Sequence, residues 1–194
     1  LKGTLIGSIN VFNKKSGENF SEENKKLLAI IASQSAQVIE NARLYEEEKQ
    51  LKIMQEEMNL AYNIQMDLLP DGCPKISGYD IFGLSIPART VGGDYFDFIT
   101  DCGDDFIFCV GDVVGKGIPA ALLMANIQAT LRGQVANLLH PLECIKRANA
   151  LLYRSTNEDK FVTLFLGKLN QSTHTVTYCN AGHNYPLLFR RGGD

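Results

Sequence analysis

The 194-residue sequence predicts an α+β protein, and two observations support this fold class. Residues 21–69 contain neither glycine nor proline, which favours one very long helix or two helices in near-continuity. Beyond residue 78, strand-like runs come first, two apolar helical patterns follow, and further strand-like runs end the chain. Strands, then helices, then strands indicate a layered sandwich rather than an alternating βαβ fold.

The first element is a β-branched, partly alternating run at residues 5–12, which predicts a strand without a visible partner. The turn-forming segment NKKSGE follows it. Ser21 then suits the cap of the long helix, and Glu22 and Glu23 suit the positive end of its dipole.

The long helix carries two series of residues with alternating spacings of three and four. The first is Leu28, Ile31, Ser35, Val38, Ala42 and Tyr45, and the second is Leu51, Met54, Met58, Ala61, Gln65 and Leu68. Each series suits the seam of a two-helix coiled coil, but they are out of phase by one residue across the charged segment EEEKQ. We expect a parallel homodimer through this helix; the alternative is that the helix packs on its own domain.

A domain boundary is predicted at residues 68–78, where LLPDGCPKISG brings two prolines and two glycines. Strands are expected at 79–86, 96–99 and 106–110. One helix should open at Gly117 with Pro119 in its first turn, and another at Pro141. Three more strands are expected at 161–169, 175–180 and 187–190.

Charge and composition exclude several classes of protein. The formal net charge is −3 and the basic residues are dispersed, so neither a nucleic-acid surface nor a basic membrane patch is indicated. No apolar run approaches the roughly 20 residues that cross a bilayer. Five scattered cysteines are typical of a reducing cytoplasm, and the lack of an initiating methionine suggests a fragment of a longer protein.

Two aspartates are the candidate site residues, Asp94 in VGGDYFD and Asp112 in CVGDVVGKG. Both follow a glycine where an apolar strand gives way to a turn. Paired carboxylates are suitable ligands for Mg²⁺ or Mn²⁺, whereas a lone aspartate at either place would more simply be a solvated turn residue. Lys116 is either a solvated loop residue or an aid to phosphate binding, since its loop fails the Walker pattern.

The stretch GGDYF also resembles the GGDEF signature of diguanylate cyclases. In that family the fourth position is an acid that binds metal, and here it is Tyr95. Cyclase activity is therefore a minor alternative.

Five ordered motifs resemble the SpoIIE/RsbU type of serine/threonine phosphatase, a branch of the metal-dependent protein phosphatase 2C-like superfamily. They are NLAYNIQMDLLP, IPARTVGGDYFDF, VGDVVGKGIPAALLMA, FVTLFLGKL and YCNAGHNYPLLFRRGG, within residues 59–194. The resemblance implies an α-β-β-α sandwich with two Mn²⁺ or Mg²⁺ ions, which activate water to attack a phosphoserine or phosphothreonine. It also implies a small phosphorylated anti-sigma-factor antagonist as the substrate.

Carried over by position, the resemblance makes Asp94 and Asp112 acidic metal ligands and Val113 the donor of a backbone carbonyl. The family's remaining acidic ligands lie after the AGH motif, so we expect this chain to bind metals poorly and to turn over slowly. Asp97 would lie next to the metal site, and His183 would serve the turn structurally.

The N-terminal residues 3–47 resemble the last strand and closing helix of a GAF sensory domain. The expected organisation is a GAF end at 1–45, a helical signalling linker at 46–71 and a partial phosphatase domain at 72–194. We expect a cytoplasmic protein that binds neither nucleic acid nor membrane. The alternative function is a non-catalytic sensor and dimerisation module whose phosphatase-like domain binds a partner.

Overall fold

The computed structural model describes residues 5–87, 90–102, 104–135, 140–157 and 159–190. Its elements are α1 (Glu22–Leu68), β1 (Tyr95–Cys102), β2 (Asp105–Val113), α2 (Ile118–Val135), α3 (Pro141–Ser155), β3 (Val162–Asn170) and β4 (Thr175–Ala181). The chain forms two compact units, residues 1–57 and 58–194.

Helix α1 is continuous over 47 residues. Its predicted cap is confirmed: Ser21 Oγ accepts a hydrogen bond from the Asn24 amide at 3.3 Å, and Asn24 Oδ1 accepts one from the Ser21 amide at 3.1 Å. At the start of the charged segment, Arg43 Nε donates to Glu47 Oε1 at 3.1 Å one helical turn away. The helix therefore runs through the phase change of the heptads without a break.

The sheet has four antiparallel strands in the order β1-β2-β3-β4. The β2–β3 ladder pairs nine residues in unbroken register, from Asp105 opposite Asn170 to Val113 opposite Val162. The β1–β2 ladder is regular from Tyr95 to Ile99 and becomes irregular between Ile99 and Cys102. Each of the four strands was predicted from the sequence, and the structure confirms it.

Helices α2 and α3, both confirmed, pack on one face of the sheet and enclose the core. Pro141 opens α3, whose cap is the His140 side chain. The buried side chains of this core include Tyr95, Ile107, Cys109, Val113, Leu123, Met124, Ile127, Leu131, Val135, Cys144, Ala148, Leu164 and Leu166. Alternation along each strand sends every second side chain to this face.

The opposite face of the sheet carries a row of aromatic rings that crosses all four strands. Consecutive rings in the row have centroids 5.2 to 6.1 Å apart, and the row consists of Phe96, Phe98, Phe106, Phe108, Phe165 and Tyr178. The segment 79–84 lies against this row. At Gly83 a Cβ would come within 2.7 Å of the Phe98 ring, so only glycine allows this approach.

Three predicted strands are wrong. Residues 5–12, 79–86 and 187–190 form no ladder, apart from an isolated bridge between Ile76 and Tyr79. Their local sequence favours a strand, but an extended segment becomes a strand only when a neighbour pairs with its backbone. Within the described residues, none of the three has such a neighbour beyond that single bridge at Tyr79.

The α+β class is confirmed, and one half of the predicted sandwich is present: a β layer covered by an α layer. The residues described here contain no second sheet. They also contain no helix with the length and apolar character needed to cross a membrane.

The predicted seam of α1 needs one correction, at Gln65. This residue is 5% exposed and its side chain bonds to Gly92 within its own unit. The last turns of α1 thus pack on the sheet domain, because Met66 and Leu69 also join its core.

Candidate functional site

A cleft of about 410 Å³ opens where β1 begins and β2 ends. Antiparallel pairing of Tyr95 with Gly111 places Asp94, the residue before β1, beside Asp112 on β2. Both aspartates line the cleft, together with the glycines of the VGG turn and the loop that leads to α2. The structure thus brings together the two acids that the sequence singled out.

The two carboxyl groups interact electrostatically. Burial raises the pKa of Asp94, and the charge of Asp112 together with a side-chain hydrogen bond to it raises that pKa further. Two carboxylates held this close repel each other when both are ionised. A cation between them would relieve this repulsion.

Oxygen donors at the cleft fit a divalent cation. Val113, a buried residue, also lines the cleft, and its carbonyl oxygen faces Gly93 so closely that a Cβ on Gly93 would lie 2.6 Å from it. Two carboxylates and one carbonyl are the ligand types that Mg²⁺ and Mn²⁺ prefer. Within the residues that the structure describes, no group of three or more His, Cys, Asp or Glu side chains could hold a metal ion.

A side chain near the end of α1 holds the VGG turn in place. Gln65 Nε2 donates to the Gly92 carbonyl at 2.7 Å, and Gln65 Oε1 accepts from the Gly92 amide at 3.0 Å. Gln128 of α2 donates in turn to the Leu68 carbonyl near the end of α1. The position of Asp94 is therefore tied to the last turns of α1.

A threonine that the sequence did not single out lies opposite Asp112. Thr163 on β3 pairs with Asp112 across the ladder and lines the cleft. Its Oγ1 is 2.8 Å from His183 Nδ1 and 3.5 Å from the Asp112 carbonyl. The position of Thr163 next to Asp112 follows only from the register of β2 and β3. The FVTLF sequence by itself does not indicate it.

His183 belongs to a turn closed by Asn180. Asn180 Oδ1 accepts from the His183 amide at 2.8 Å, and Asn180 Nδ2 donates to the His183 carbonyl at 3.1 Å. Gly182 adopts a φ of +71°, which favours glycine. The expectation that His183 supports the turn agrees with this geometry, and its ring additionally reaches Thr163.

Asp97 does not line this cleft, in contrast to the sequence-based expectation. Its side chain is fully buried on the helix-covered face, where Arg132 Nε donates to Oδ2 at 2.7 Å and Arg132 Nη2 to Oδ1 at 3.0 Å. Tyr95 OH donates to Oδ2 at 2.9 Å. Residues 94 and 97 differ by an odd number along the chain, and the alternation of a strand sends Asp97 to the other face.

Lys116 lines the cleft between two glycines, Gly115 with a φ of +101° and Gly117 with a φ of +72°. These values lie in the region that side chains with a Cβ avoid. The loop thereby brings a positive charge to the same cleft as the two aspartates.

Comparison with known proteins agrees with this fold. The family model described as Stage II sporulation protein E (SpoIIE) matches residues 103–194. The phosphoserine phosphatase RsbU of Bacillus subtilis is 33% identical over 143 residues, which is 72% of this chain and 42% of RsbU. Protein IcfG of Synechocystis is 26% identical over 165 residues, covering 71% of this chain and 26% of IcfG. The chain thus spans less than half the length of either relative.

Among solved structures, the SiaA-PP2C domain of Pseudomonas aeruginosa aligns with a TM-score of 0.54 at 17% identity, covering 66% of this chain and 53% of that domain. This likeness supports the fold. The sequence matches supply the family, and together they lead to one conclusion: the chain carries a phosphatase domain of the SpoIIE/PP2C type, similar to that of RsbU.

Proposed function

We propose that the chain is part of a metal-dependent phosphatase that hydrolyses phosphoserine or phosphothreonine on a protein partner. The observation that carries the proposal is the meeting of Asp94 and Asp112 in one cleft, beside the Val113 carbonyl. The relative named a phosphoserine phosphatase, RsbU, supports the same reaction.

Each group of the cleft has a role in this proposal. The carboxylates of Asp94 and Asp112 and the carbonyl of Val113 hold Mn²⁺ or Mg²⁺. Such ions, when bound, supply an activated water and stabilise negative charge on phosphoryl oxygens. Lys116 adds a positive charge that attracts the phosphate of the substrate. A complete two-ion site requires further acids beyond these residues.

The proposal is tested with the protein at its full natural length. Phosphate release from a phosphoserine protein is measured with and without Mn²⁺, for the wild type and for Asp94→Asn and Asp112→Asn. Asp71→Asn is the matched control, because Asp71 is exposed and is not among the residues that line the cleft. Release that requires Mn²⁺ and both cleft aspartates supports the proposal, and equal rates for all variants would contradict it.

For the rest of the chain we propose a GAF end at residues 1–45, a helical linker at 46–71 and the phosphatase domain from 72. What supports a homodimer through α1, including the linker, is the exposure of apolar seam residues. Along α1 the exposed fractions are 46% to 70% for Ile31, Val38, Tyr45, Leu51 and Met54. We also propose that the protein acts in the cytoplasm on an anti-sigma-factor antagonist. Light scattering of the intact protein beside a Leu51→Lys variant tests the dimer.

The aromatic row is the surface on which we propose that a second sheet packs, completing the α-β-β-α sandwich. Tyr178 and Val110 are 55% and 46% exposed there, although the rings of the row contact one another. Two sheets that pack face to face bury such side chains between them.

The alternative is a phosphatase-like domain that binds a partner without catalysis. What favours it is that only two carboxylates come together among the residues described here. Calorimetry distinguishes the two proposals: Mn²⁺ binding with turnover supports the enzyme, and stable capture of the phosphoprotein without turnover supports the binding module.

A further inference from the structure

Thr163 lies on the wall of the cleft and is hydrogen-bonded to His183. Thr163 lies opposite Asp112 in the β2–β3 ladder, and residues opposite each other in antiparallel strands present their side chains on one face of the sheet. The Thr163 side chain therefore stands beside the Asp112 carboxylate. Both residues line the cleft.

The hydroxyl of Thr163 is hydrogen-bonded to the His183 ring. His183 Nδ1 is 2.8 Å from Thr163 Oγ1, and the His183 backbone is fixed on both sides by the Asn180 side chain. The ring thus has a defined position although it sits in a turn after the end of β4. A hydroxyl bound to an imidazole keeps one direction instead of rotating among several.

This arrangement leaves the hydroxyl with spare hydrogen-bonding capacity. A threonine hydroxyl has one proton and two lone pairs, and the imidazole uses one of these three. The contact with the Asp112 carbonyl, at 3.5 Å, is at the limit of a hydrogen bond. The hydroxyl can therefore bind a group in the cleft next to Asp112.

We propose that Thr163 binds the phosphoryl group of the substrate through its hydroxyl and that His183 is a positioning residue that orients this hydroxyl. The inference rests on the proposed phosphatase function and assigns the site two residues that the sequence did not. Thr163 touches the substrate, whereas His183 acts only through Thr163. Loss of His183 should therefore cost nothing further once the Thr163 hydroxyl is gone.

The test uses the full-length protein with Mn²⁺ and a phosphoserine protein, and inorganic phosphate serves as the probe of phosphoryl binding. Thr163→Val removes the hydroxyl at nearly constant shape, and Thr163→Ser keeps it. Thr175→Val is the matched control, since Thr175 is exposed at the start of β4 and does not line the cleft. The inhibition constant for phosphate, kcat, KM and the affinity for Mn²⁺ are measured for each variant.

We expect Thr163→Val to weaken phosphate inhibition and to lower kcat/KM by about tenfold to a hundredfold, the usual loss for a hydrogen bond to a charged group. Its affinity for Mn²⁺ should stay unchanged, and Thr163→Ser should match the wild type. His183→Ala should show the smaller part of the same defect, and His183→Asn should restore activity because its amide can reach Thr163. In the Thr163→Val background, His183→Ala should have no effect.

Wild-type phosphate inhibition in Thr163→Val would overturn the inference, while the proposed function would survive if the wild type releases phosphate. If the losses of kcat/KM in Thr163→Val and His183→Ala add fully in the double variant, the positioning role of His183 is overturned. If Thr163→Val does not fold, the comparison of His183→Ala with His183→Asn decides in its place, and equal defects count against the pair. A wild-type protein that binds Mn²⁺ but releases no phosphate would contradict the proposed function itself.

Discussion

The side chain of Gln65 hydrogen-bonds to both backbone groups of Gly92. Nε2 donates to the carbonyl at 2.7 Å, and Oε1 accepts from the amide at 3.0 Å. Two residues after Gly92 comes Asp94, so the last turns of α1 help to set the position of a cleft carboxylate.

Replacing Gln65 with methionine should destabilise the domain. The Gly92 amide and carbonyl would lose their partners in a partly buried place, which we expect to lower the free energy of unfolding by about 2 kcal/mol. Urea denaturation measures this loss. Gln55→Met on the exposed surface of the same helix is the control, and an equal effect of both changes would contradict the importance of the Gly92 contact.

Gly93→Ala should damage the cleft while Gly92→Ala should not. A Cβ on Gly93 would lie 2.6 Å from the Val113 carbonyl oxygen, whereas the nearest atom to a Cβ on Gly92 is 3.7 Å away. Overpacking of this kind costs about 1–3 kcal/mol. We expect weaker Mn²⁺ binding for Gly93→Ala alone, measured by calorimetry, and unchanged binding in both variants would refute the argument.

Arg132→Met should destabilise the fold because it leaves the buried Asp97 carboxylate without its cation. Loss of one partner from a fully buried ion pair costs about 3–5 kcal/mol, and we expect about 2 here because water reaches half of Arg132. The control is Arg147→Met on the exposed surface of α3. Thermal denaturation of both variants checks the prediction, and equal melting temperatures would count against it.

Stability should fall in alkali because of Cys109. Burial raises the pKa of its thiol to about 12, with the charge of Asp97 raising it and hydrogen bonding to Tyr95 and the charge of Arg132 opposing the rise. An unfolded cysteine titrates at about 8.5, so between these values the unfolded chain binds fewer protons than the folded one. The free energy of unfolding should therefore decrease as pH rises through this range.

Denaturation between about pH 8.5 and 12, the range spanned by those two pKa values, tests this trend. Cys109→Ala should flatten the slope, and Cys73→Ala, at an exposed position, should leave it unchanged. Identical slopes in the wild type and Cys109→Ala would show that the thiol is not responsible.

Insertions after Glu47 test the proposed signalling role of α1. A heptad turns the following helix by roughly two full turns and keeps the seam in phase, whereas three residues rotate it by about 300°. We expect the heptad insertion to preserve control of phosphate release and the three-residue insertion to disturb it. Equal behaviour of the two insertions would contradict signalling through helix phase.

The local sequence pattern was sufficient to predict β1 to β4, α2 and α3. In each of these elements the apolar residues recur at one spacing along the whole element. It also placed Asp94 and Asp112 at the ends of strands that turned out to be neighbours. It failed where strand pairing decides the outcome: residues 5–12 have strand propensity but no pairing partner among the described residues, and the role of Thr163 depends on its register opposite Asp112.

The burial of Asp97 and Gln65 could not be predicted from the local sequence pattern, for a related reason. Both are polar residues whose burial depends on a partner distant in sequence, Arg132 for Asp97 and Gly92 for Gln65. A buried polar side chain becomes intelligible only when the group that satisfies it is known.

The unequal regularity of the two ladders at β2 has a consequence for how the sheet opens. Nine unbroken pairs join β2 to β3, and the irregularity between Ile99 and Cys102 lies at the end of β1 remote from Asp94. Fraying should therefore begin at that remote end, and amide hydrogens there should exchange with solvent first. The amides of the regular β2–β3 ladder should exchange later than that end, which would keep Asp112 and Thr163 paired while the remote end of β1 opens.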